Sequence, residues 1–358
     1  MVLSVLIAIL SILALIVLHE LGHFLLAKKF NVKVEEFGVG IPPRVIGKKI
    51  GETIYSLNLL PIGAFVKLLG EEKSMKDPRS FSEKSLFQKV VIVAAGVVAF
   101  WLFSIVTFMI LAASSGIPMA VEDETTQRIS NSHVQVVGIA PDSPAKEAGL
   151  KLGDRIVEVV SREVDKVSEV QEATEKLKGK EATFTIQRGK ETLQVNLVPR
   201  ADPPEGEGPM GVALSRQAFV HYSWYEAPVQ GVVITARVTW EIIQQLGGTL
   251  ARVFAGKGLP GGIDVAGPIG IVQILSGSLA LGLPSYLSFL ATLSIYLALF
   301  NILPIPAVDG GRLFFLGLEF LRKKPLSEKF EGRVNAVSFG ILIFILLAVT
   351  FRDLTKLF

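Results

Sequence analysis

The sequence predicts an α-helical polytopic membrane protein of four transmembrane helices, with a membrane-associated β-hairpin region and an inserted extracytoplasmic α+β domain. Three observations predict it. Half of the 358 residues are hydrophobic and the mean hydropathy is +0.50, outside the range of soluble globular chains. Four apolar stretches are long enough to cross a hydrocarbon core of about 30 Å. One internal stretch instead alternates short strands around a single charged helix, the pattern of a small folded domain.

The first span occupies residues 1–30. Val2 to Ala27 is almost uninterrupted Leu, Ile, Val and Ala, and its last third carries His19, Glu20 and His23. A cleaved signal would place basic residues before a shorter run; here Lys28 and Lys29 come after it, so the segment is expected to be retained. Residues 31–89 form a cytoplasmic-side loop. Within it Val32 to Phe37 and Thr53 to Leu59 alternate apolar and polar side chains, broken by Gly38, Gly40, Pro42, Pro43 and Gly47, which fits strands better than helix. The second span covers 90–114.

Residues 115–131 read as an extracytoplasmic linker and 132–200 as the folded domain. Its helix is expected to open with Ser168 and Gln171 at capping-box spacing and to bury Val170, Ala173 and Leu177, while Arg188-Gly189-Lys190 reads as a hairpin turn. Residues 201–284 begin with a Pro-, Gly- and acid-rich linker through Pro209. Next comes a segment from Val229 to Val253, whose apolar face is Val232, Val233, Ala236, Trp240, Ile243, Leu250 and Val253; it is expected to lie on the outer membrane surface. A third span, 285–321, is broken at Asn301 to Gly311; 322–333 is a cytoplasmic loop, 334–351 the fourth span and 352–358 a tail.

Short-loop cations set the orientation. Twelve Lys and Arg lie between the first two spans, from Lys28 to Lys89, and five between the last two, from Arg322 to Arg333, so both loops face the cytoplasm. Both termini and the long segment from Ser114 to Pro284 then lie outside. His19, His23 and Asp309 fall at similar depth toward the cytoplasmic side.

His19-Glu20-Leu21-Gly22-His23 places two imidazoles one turn apart on one helical face, where both can bind one zinc ion, with Glu20 beside it as proton carrier. Zinc acidifies bound water and a carboxylate passes its proton to a leaving amine, which is peptide-hydrolysis chemistry. Each ionisable residue in the hydrocarbon costs roughly 2–3 kcal/mol on insertion scales, so three within five positions call for a compensating interaction. With no cysteine, the third ligand must come from His or a carboxylate. His133 and His221 lie in the external segment. Asp309 lies within a span, at a break made by Pro304, Pro306, Gly310 and Gly311, and irregular backbone at membrane depth is tolerated where it lines a wet cavity. A net charge of +3 gives no ground for a nucleic-acid partner.

These residues resemble the site-two protease family of intramembrane zinc metalloproteases, and within it the bacterial regulator-of-sigma-E protease (RseP-like) branch. The family motif Asn-x-x-Pro-x-Pro-x-Leu-Asp-Gly is matched by Asn301, Pro304, Pro306, Asp309 and Gly310, with Val308 in place of Leu. The resemblance implies a catalytic Glu20 and Zn2+ held by His19, His23 and Asp309. It further implies substrate binding by Asn301, Pro304 and Pro306, and by a membrane-associated hairpin from Phe37 to Lys67 containing Gly38, Gly40 and Gly63. Gly267-Pro268-Ile269-Gly270 resembles a further family motif. Pro141 to Ala145 and Ala148 to Asp154 resemble a single PDZ module, although Val160-Ser161-Arg162-Glu163 replaces its usual Asn-Gly turn.

By this resemblance the chain is expected to be an intramembrane endopeptidase of the bacterial inner membrane. It would act on single-span anti-sigma-factor type proteins after an upstream site-one protease, on remnant signal peptides, or on both, with transmembrane peptides and the lipid bilayer as its partners. A membrane metal-ion or proton transporter using the same His, Glu and Asp is the alternative, and a silent PDZ-based adaptor a third. A transporter has no evident need for Glu beside a chelating pair or for a peptide-binding type of domain.

Overall fold

The computed structural model describes residues 2–71, 73–189, 191–204, 206–256, 266–324 and 326–355. Four of its helices are long and apolar enough to cross a membrane: α1 (Val2–Lys29), α2 (Leu86–Ala113), α7 (Leu283–Ile302) and α9 (Glu328–Thr355). α2 starts four residues before the expected span because Ser85 and Gln88 form a capping box that satisfies the first free N–H groups.

Between α1 and α2 lies the expected β region, as two long strands, β1 (Val34–Ile50) and β2 (Thr53–Leu68). Both strands bend. Residues 36–39 of β1 take partners from both arms of β2, Ile54 to Leu57 on one side and Lys67 to Ala64 on the other, so this stretch lies inside the sheet. Gly40 and Gly63 adopt φ of 86° and 88° at the bends, which side chains resist. The arm 64–68 keeps one edge without a strand partner among the described residues.

The strand-rich domain between α2 and α5 is larger than the sequence indicates. Its sheet contains β3 (Ile117–Ala120), β4 (Ile129–Ile139), β5 (Arg155–Val159), β6 (Arg162–Glu163), β7 (Ala182–Arg188), β8 (Glu191–Leu197) and β9 (Val212–Val220), in the order β3-β9-β4-β5-β7-β8 with β6 beside β5. The expected linker at 115–131 therefore holds β3 and the start of β4, and the expected boundary at 200 falls before β9. The Pro- and Gly-rich stretch at 201–209 is a loop inside the domain. β9 pairs with both β3 and β4. Val134, Phe184 and Ile186 sit at the centre of the core with Val170 of α4 (Val167–Lys176) and Ala145 of α3 (Pro144–Glu147).

Other local expectations shift as well. α4 is not opened by Ser168 and Gln171; the Asp123 carboxylate accepts the Val167 and Ser168 N–H groups at 3.0 and 2.8 Å, and Glu169 accepts that of Lys166. Its expected buried face, Val170, Ala173 and Leu177, does pack into the core. The β5–β6 turn forms without Asn-Gly, because Val160 and Ser161 both take positive φ, 49° and 62°. β7 and β8 pair through Arg188 and Glu191 as the turn reading requires, with Lys190 outside the described residues.

α5 (Ala227–Phe254) turns its expected apolar stripe away from the helices it packs on. It buries Gly231, Ile234, Thr235 and Ile242 against α2 and α7, leaving Val232, Val233, Trp240, Ile243, Leu250 and Val253 exposed. At Gly231 a Cβ would lie 2.5 Å from the Ile105 carbonyl oxygen, so the glycine sets the close approach of α5 to α2. A short apolar helix, α6 (Pro268–Ala280), precedes α7. It begins at Gly267-Pro268-Ile269-Gly270, where the Asp353 carboxylate of α9 accepts the N–H groups of Gly267 and Gly270 at 3.2 and 2.8 Å. The third expected span is two helices, α7 and α8 (Asp309–Arg322), separated at the predicted break. The rest of the 201–284 segment, at 257–265, and the tail at 356–358 lie outside the described residues.

Candidate metal centre

The pair His19 and His23 occupies the C-terminal third of α1, four residues apart, and both rings turn toward α2 and α8. Close helix packing makes this turn feasible. A Cβ on Gly22 would meet the Ala95 carbonyl oxygen at 2.5 Å, and a Cβ on Gly96 would meet His23 Nε2 at 2.3 Å and His19 Cε1 at 2.5 Å. Two glycines, one on each helix, thus open the volume that the imidazoles fill. The His19 ring stacks on Phe100 with centroids 4.7 Å apart and stands edge-on to His23. His23 Nδ1 lies 2.9 Å from the Ile92 carbonyl oxygen, so Nδ1 carries the proton and Nε2 presents its lone pair inward.

Asp309 arrives from the other end of the chain as the first residue of α8. After α7 the backbone folds back over the start of α8, and it does so against two glycines. A Cβ on Gly310 would meet the Leu303 carbonyl oxygen at 2.1 Å, and one on Gly311 would meet that of Ile305 at 2.3 Å. Ala307 takes φ of 77° at the tightest point, where its N–H donates to Asn335 Oδ1 of α9 at 3.2 Å. The break predicted from Pro304, Pro306, Gly310 and Gly311 is therefore the device that places a carboxylate at a helix N-terminus facing α1.

The three side chains meet. Asp309 Oδ2 lies 3.2 Å from His19 Nε2 and 3.3 Å from His23 Nε2, and the two Nε2 atoms are 3.2 Å apart. Atoms held about 2.0–2.1 Å from a tetrahedral zinc ion are roughly 3.3 Å from one another. Asp309 Oδ2 is buried and makes no aligned hydrogen bond, so the carboxylate aims at the common centre and not along an N–H direction. Three buried electron-rich atoms converging in this way fit a cation.

Beside the triad is a cavity of about 700 Å³, whose walls include Glu20, Asn301 and Asp309 together with Phe65, Val66 and Leu68 of β2. Of the residues expected to touch substrate, Asn301 lines this cavity, its Nδ2 donating to the Leu297 carbonyl oxygen within its own helix at 2.9 Å. Pro304 and Pro306 shape the break without lining the cavity. Gly38, Gly40 and Gly63 do not line it either; they shape the sheet, and a Cβ on Gly38 would meet the Phe65 ring at 2.4 Å. Gly96, Phe100, Arg312 and Glu71 do not stand out in the sequence, and of these only the small-residue run Ala94-Ala95-Gly96 within a span carries a signal of close helix approach.

The family model "Peptidase family M50" matches residues 7–345. The chain belongs to peptidase family M50. A Clostridium perfringens protein named as a candidate zinc metalloprotease is 32% identical over 349 residues, covering 97% of each chain. The zinc metalloprotease RasP of Geobacillus kaustophilus is 28% identical and the regulator of sigma-W protease RasP of Bacillus subtilis 25% identical, each alignment covering 96% of both chains. A solved PDZ domain from Listeria monocytogenes aligns with 25% of this chain and 92% of its own at 22% identity and a TM-score of 0.21, too low to bear on the fold. Family M50 together with four apolar helices long enough to span marks a membrane protein.

Proposed function

We propose that this chain is an intramembrane zinc endopeptidase in which His19, His23 and Asp309 hold the metal and Glu20 moves the proton. The observation that carries the reading is the near-equal spacing of the three ligand atoms, 3.2, 3.3 and 3.2 Å, assembled from two distant stretches of sequence. The names of the relatives support zinc as the ion. Zinc held there supplies Lewis acidity toward water and the scissile carbonyl. The Glu20 carboxylate, on the cavity wall, accepts the proton of the attacking water and returns it to the leaving amine nitrogen.

A helical substrate hides its carbonyls in its own hydrogen bonds, so cleavage requires an extended stretch. The unpaired edge of residues 64–68, whose Phe65, Val66 and Leu68 face the cavity, can take such a stretch as an added strand, with the Asn301 amide on the facing wall. The substrates proposed are single-span proteins of the anti-sigma-factor type already trimmed by an upstream site-one protease, and remnant signal peptides. The external domain, PDZ-like in its motifs, would screen them. Its own cavity of about 1010 Å³, lined by the end of β4, Gln171 and the loop before β9, is where a chain end would bind. The cation-rich short loops support a cytoplasmic-side active site, extracytoplasmic termini and domain, and the bacterial inner membrane.

The decisive test uses purified full-length protein in nanodiscs with a single-span substrate. Glu20→Gln is expected to retain zinc at wild-type stoichiometry while cleavage falls at least 1,000-fold. Unchanged cleavage would remove Glu20 from the chemistry, and metal flux without any cut product would favour the transporter.

A further inference from the structure

We infer that Arg312 is a positioning residue, fixing the sheet edge that would receive substrate relative to the metal ligands; the inference rests on the peptidase reading above. Arg312 lies one turn after Asp309 on α8. Its Nη1 donates to Glu71 Oε1 at 2.6 Å and its Nη2 to the Glu71 carbonyl oxygen at 3.2 Å. The guanidinium also lies over the Phe81 ring, 4.6 Å from the centroid. A carboxylate, a backbone carbonyl and a ring face together fix the planar fork in one orientation, which a flexible lysine would not reproduce.

Every one of these partners is tied to the end of β2. Glu71 Oε2 accepts the Leu68 N–H at 3.3 Å, and the Glu71 N–H donates to the Leu68 carbonyl oxygen, also at 3.3 Å. Phe81 is held at the same place, its N–H donating to the Leu69 carbonyl oxygen at 2.8 Å. Arg312 therefore connects the helix that begins with Asp309 to the strand whose Phe65, Val66 and Leu68 share the cavity wall with Asp309. Leu313 and Leu316 of α8 also share an apolar cluster with Val66 and Leu68 of this strand, but apolar contacts are non-directional.

The pair is partly exposed, with 33% and 26% of the two side chains open, so it adds little to stability as an ion pair. What it supplies is distance. An extended peptide lying on residues 64–68 reaches the centre between His19, His23 and Asp309 only if strand and helix hold their separation, and a misplacement of about 1 Å can cost about 100-fold in rate.

The chain contains no cysteine, so spin labels can be placed singly at Lys67→Cys and Leu321→Cys, both exposed and one on each side of the tie. Full-length wild type, Arg312→Gln, Glu71→Gln, the double Gln variant and the charge-swapped pair Arg312→Glu with Glu71→Arg are compared in nanodiscs. Zinc content, kcat and KM are measured on the unlabelled proteins, which keep Lys67 in the proposed substrate edge, and the label distance on their labelled counterparts. Arg312→Gln is expected to keep its zinc and a KM within about twofold, lose at least tenfold in kcat and broaden the label distance. The double variant should be no slower than Arg312→Gln, and the swapped pair should recover part of the rate. Wild-type kcat with an unchanged distance in Arg312→Gln overturns the proposal, as does a loss of rate matched by loss of zinc. Absence of zinc and cleavage in the wild type would instead remove the peptidase reading, while the label distance still reports on the tie.

Discussion

Gly96 has no side chain, yet the histidine pair depends on it. A Cβ there would stand 2.3 Å from His23 Nε2, inside the volume the proposed ion and its ligands need, and the backbone of α2 is held by Gly22 packed on Ala95. Gly96→Ala is therefore expected to push the imidazoles apart and lower zinc stoichiometry at least tenfold at limiting metal. Gly277→Ala is the control, because a Cβ there meets nothing within 4 Å. Metal analysis of the two variants beside wild type checks this, and full zinc occupancy in Gly96→Ala would show that α2 yields to the methyl group. The His19-Glu20-x-x-His23 spacing and the broken Asn301 to Gly311 segment are visible in sequence because helical periodicity and backbone-breaking residues are local properties. Gly96, Phe100 and the Ile92 carbonyl are not, since their relation to the histidines exists only once α1 and α2 are packed.

Elements show the same division between local and distant causes. The four spans could be read from apolar length, and the strands after α1 from alternation. α4 shows where that reading stops: its start is fixed by Asp123, far upstream, whose carboxylate accepts the Val167 and Ser168 N–H groups. Asp123→Ala is expected to destabilise the strand-rich domain by about 1 kcal/mol, the usual cost of a lost N-cap, with hydrogen exchange rising first in α4. The effect carries a pH signature. Burial works to raise the Asp123 pKa, but the Ser168 and Val167 N–H donors and the Arg216 charge outweigh it and hold the carboxyl below its ordinary 3.8. A carboxyl depressed in the folded state gives stability that is fully present above its unfolded pKa of about 3.9 and is lost as pH falls through the native value. The stability gap between wild type and Asp123→Ala should thus be constant from about pH 5 upward and close below about pH 4, measured by denaturant titration. β9 escapes sequence reading for a related reason, because the Pro- and Gly-rich run before it looks like a linker end when it is a loop between two strands of one sheet. On α5 a regular apolar stripe is legible, but the opposite, packed face is not, because Gly231, Ile234 and Ile242 find their partners on α2 and α7 only once the helices meet.

At the scale of the molecule, two bodies share one chain: the helices and β region around the candidate metal centre, and the strand-rich domain from β3 to β9. They join at the end of α2 and the start of α5, where Ile117 of β3 shares a buried cluster with Phe108 and Leu111 of α2 and Ala291 and Ile295 of α7. Ile117 at the start of β3 is paired with Val220 at the end of β9, so the domain leaves and returns at neighbouring points, with the Tyr222 N–H donating to the Ala112 carbonyl oxygen just beneath. Paired strand residues lie about 5 Å apart, a gap that a short Gly-Ser linker closes. Removal of 132–200 would strip β9 of most of its β4 pairing and leave Met210, Val212 and Leu214 without the core they pack in, whereas removal of 117–220 takes out whole strands and costs the cluster between the helices Ile117. The larger deletion is expected to keep zinc and to cleave a trimmed single-span substrate within about threefold of the full chain. If the strand-rich domain screens substrates, the same deletion should raise cleavage of an untrimmed substrate at least tenfold. Equal discrimination between the two substrates with and without residues 117–220 would move the selection step into the membrane, to the cavity edge formed by residues 64–68.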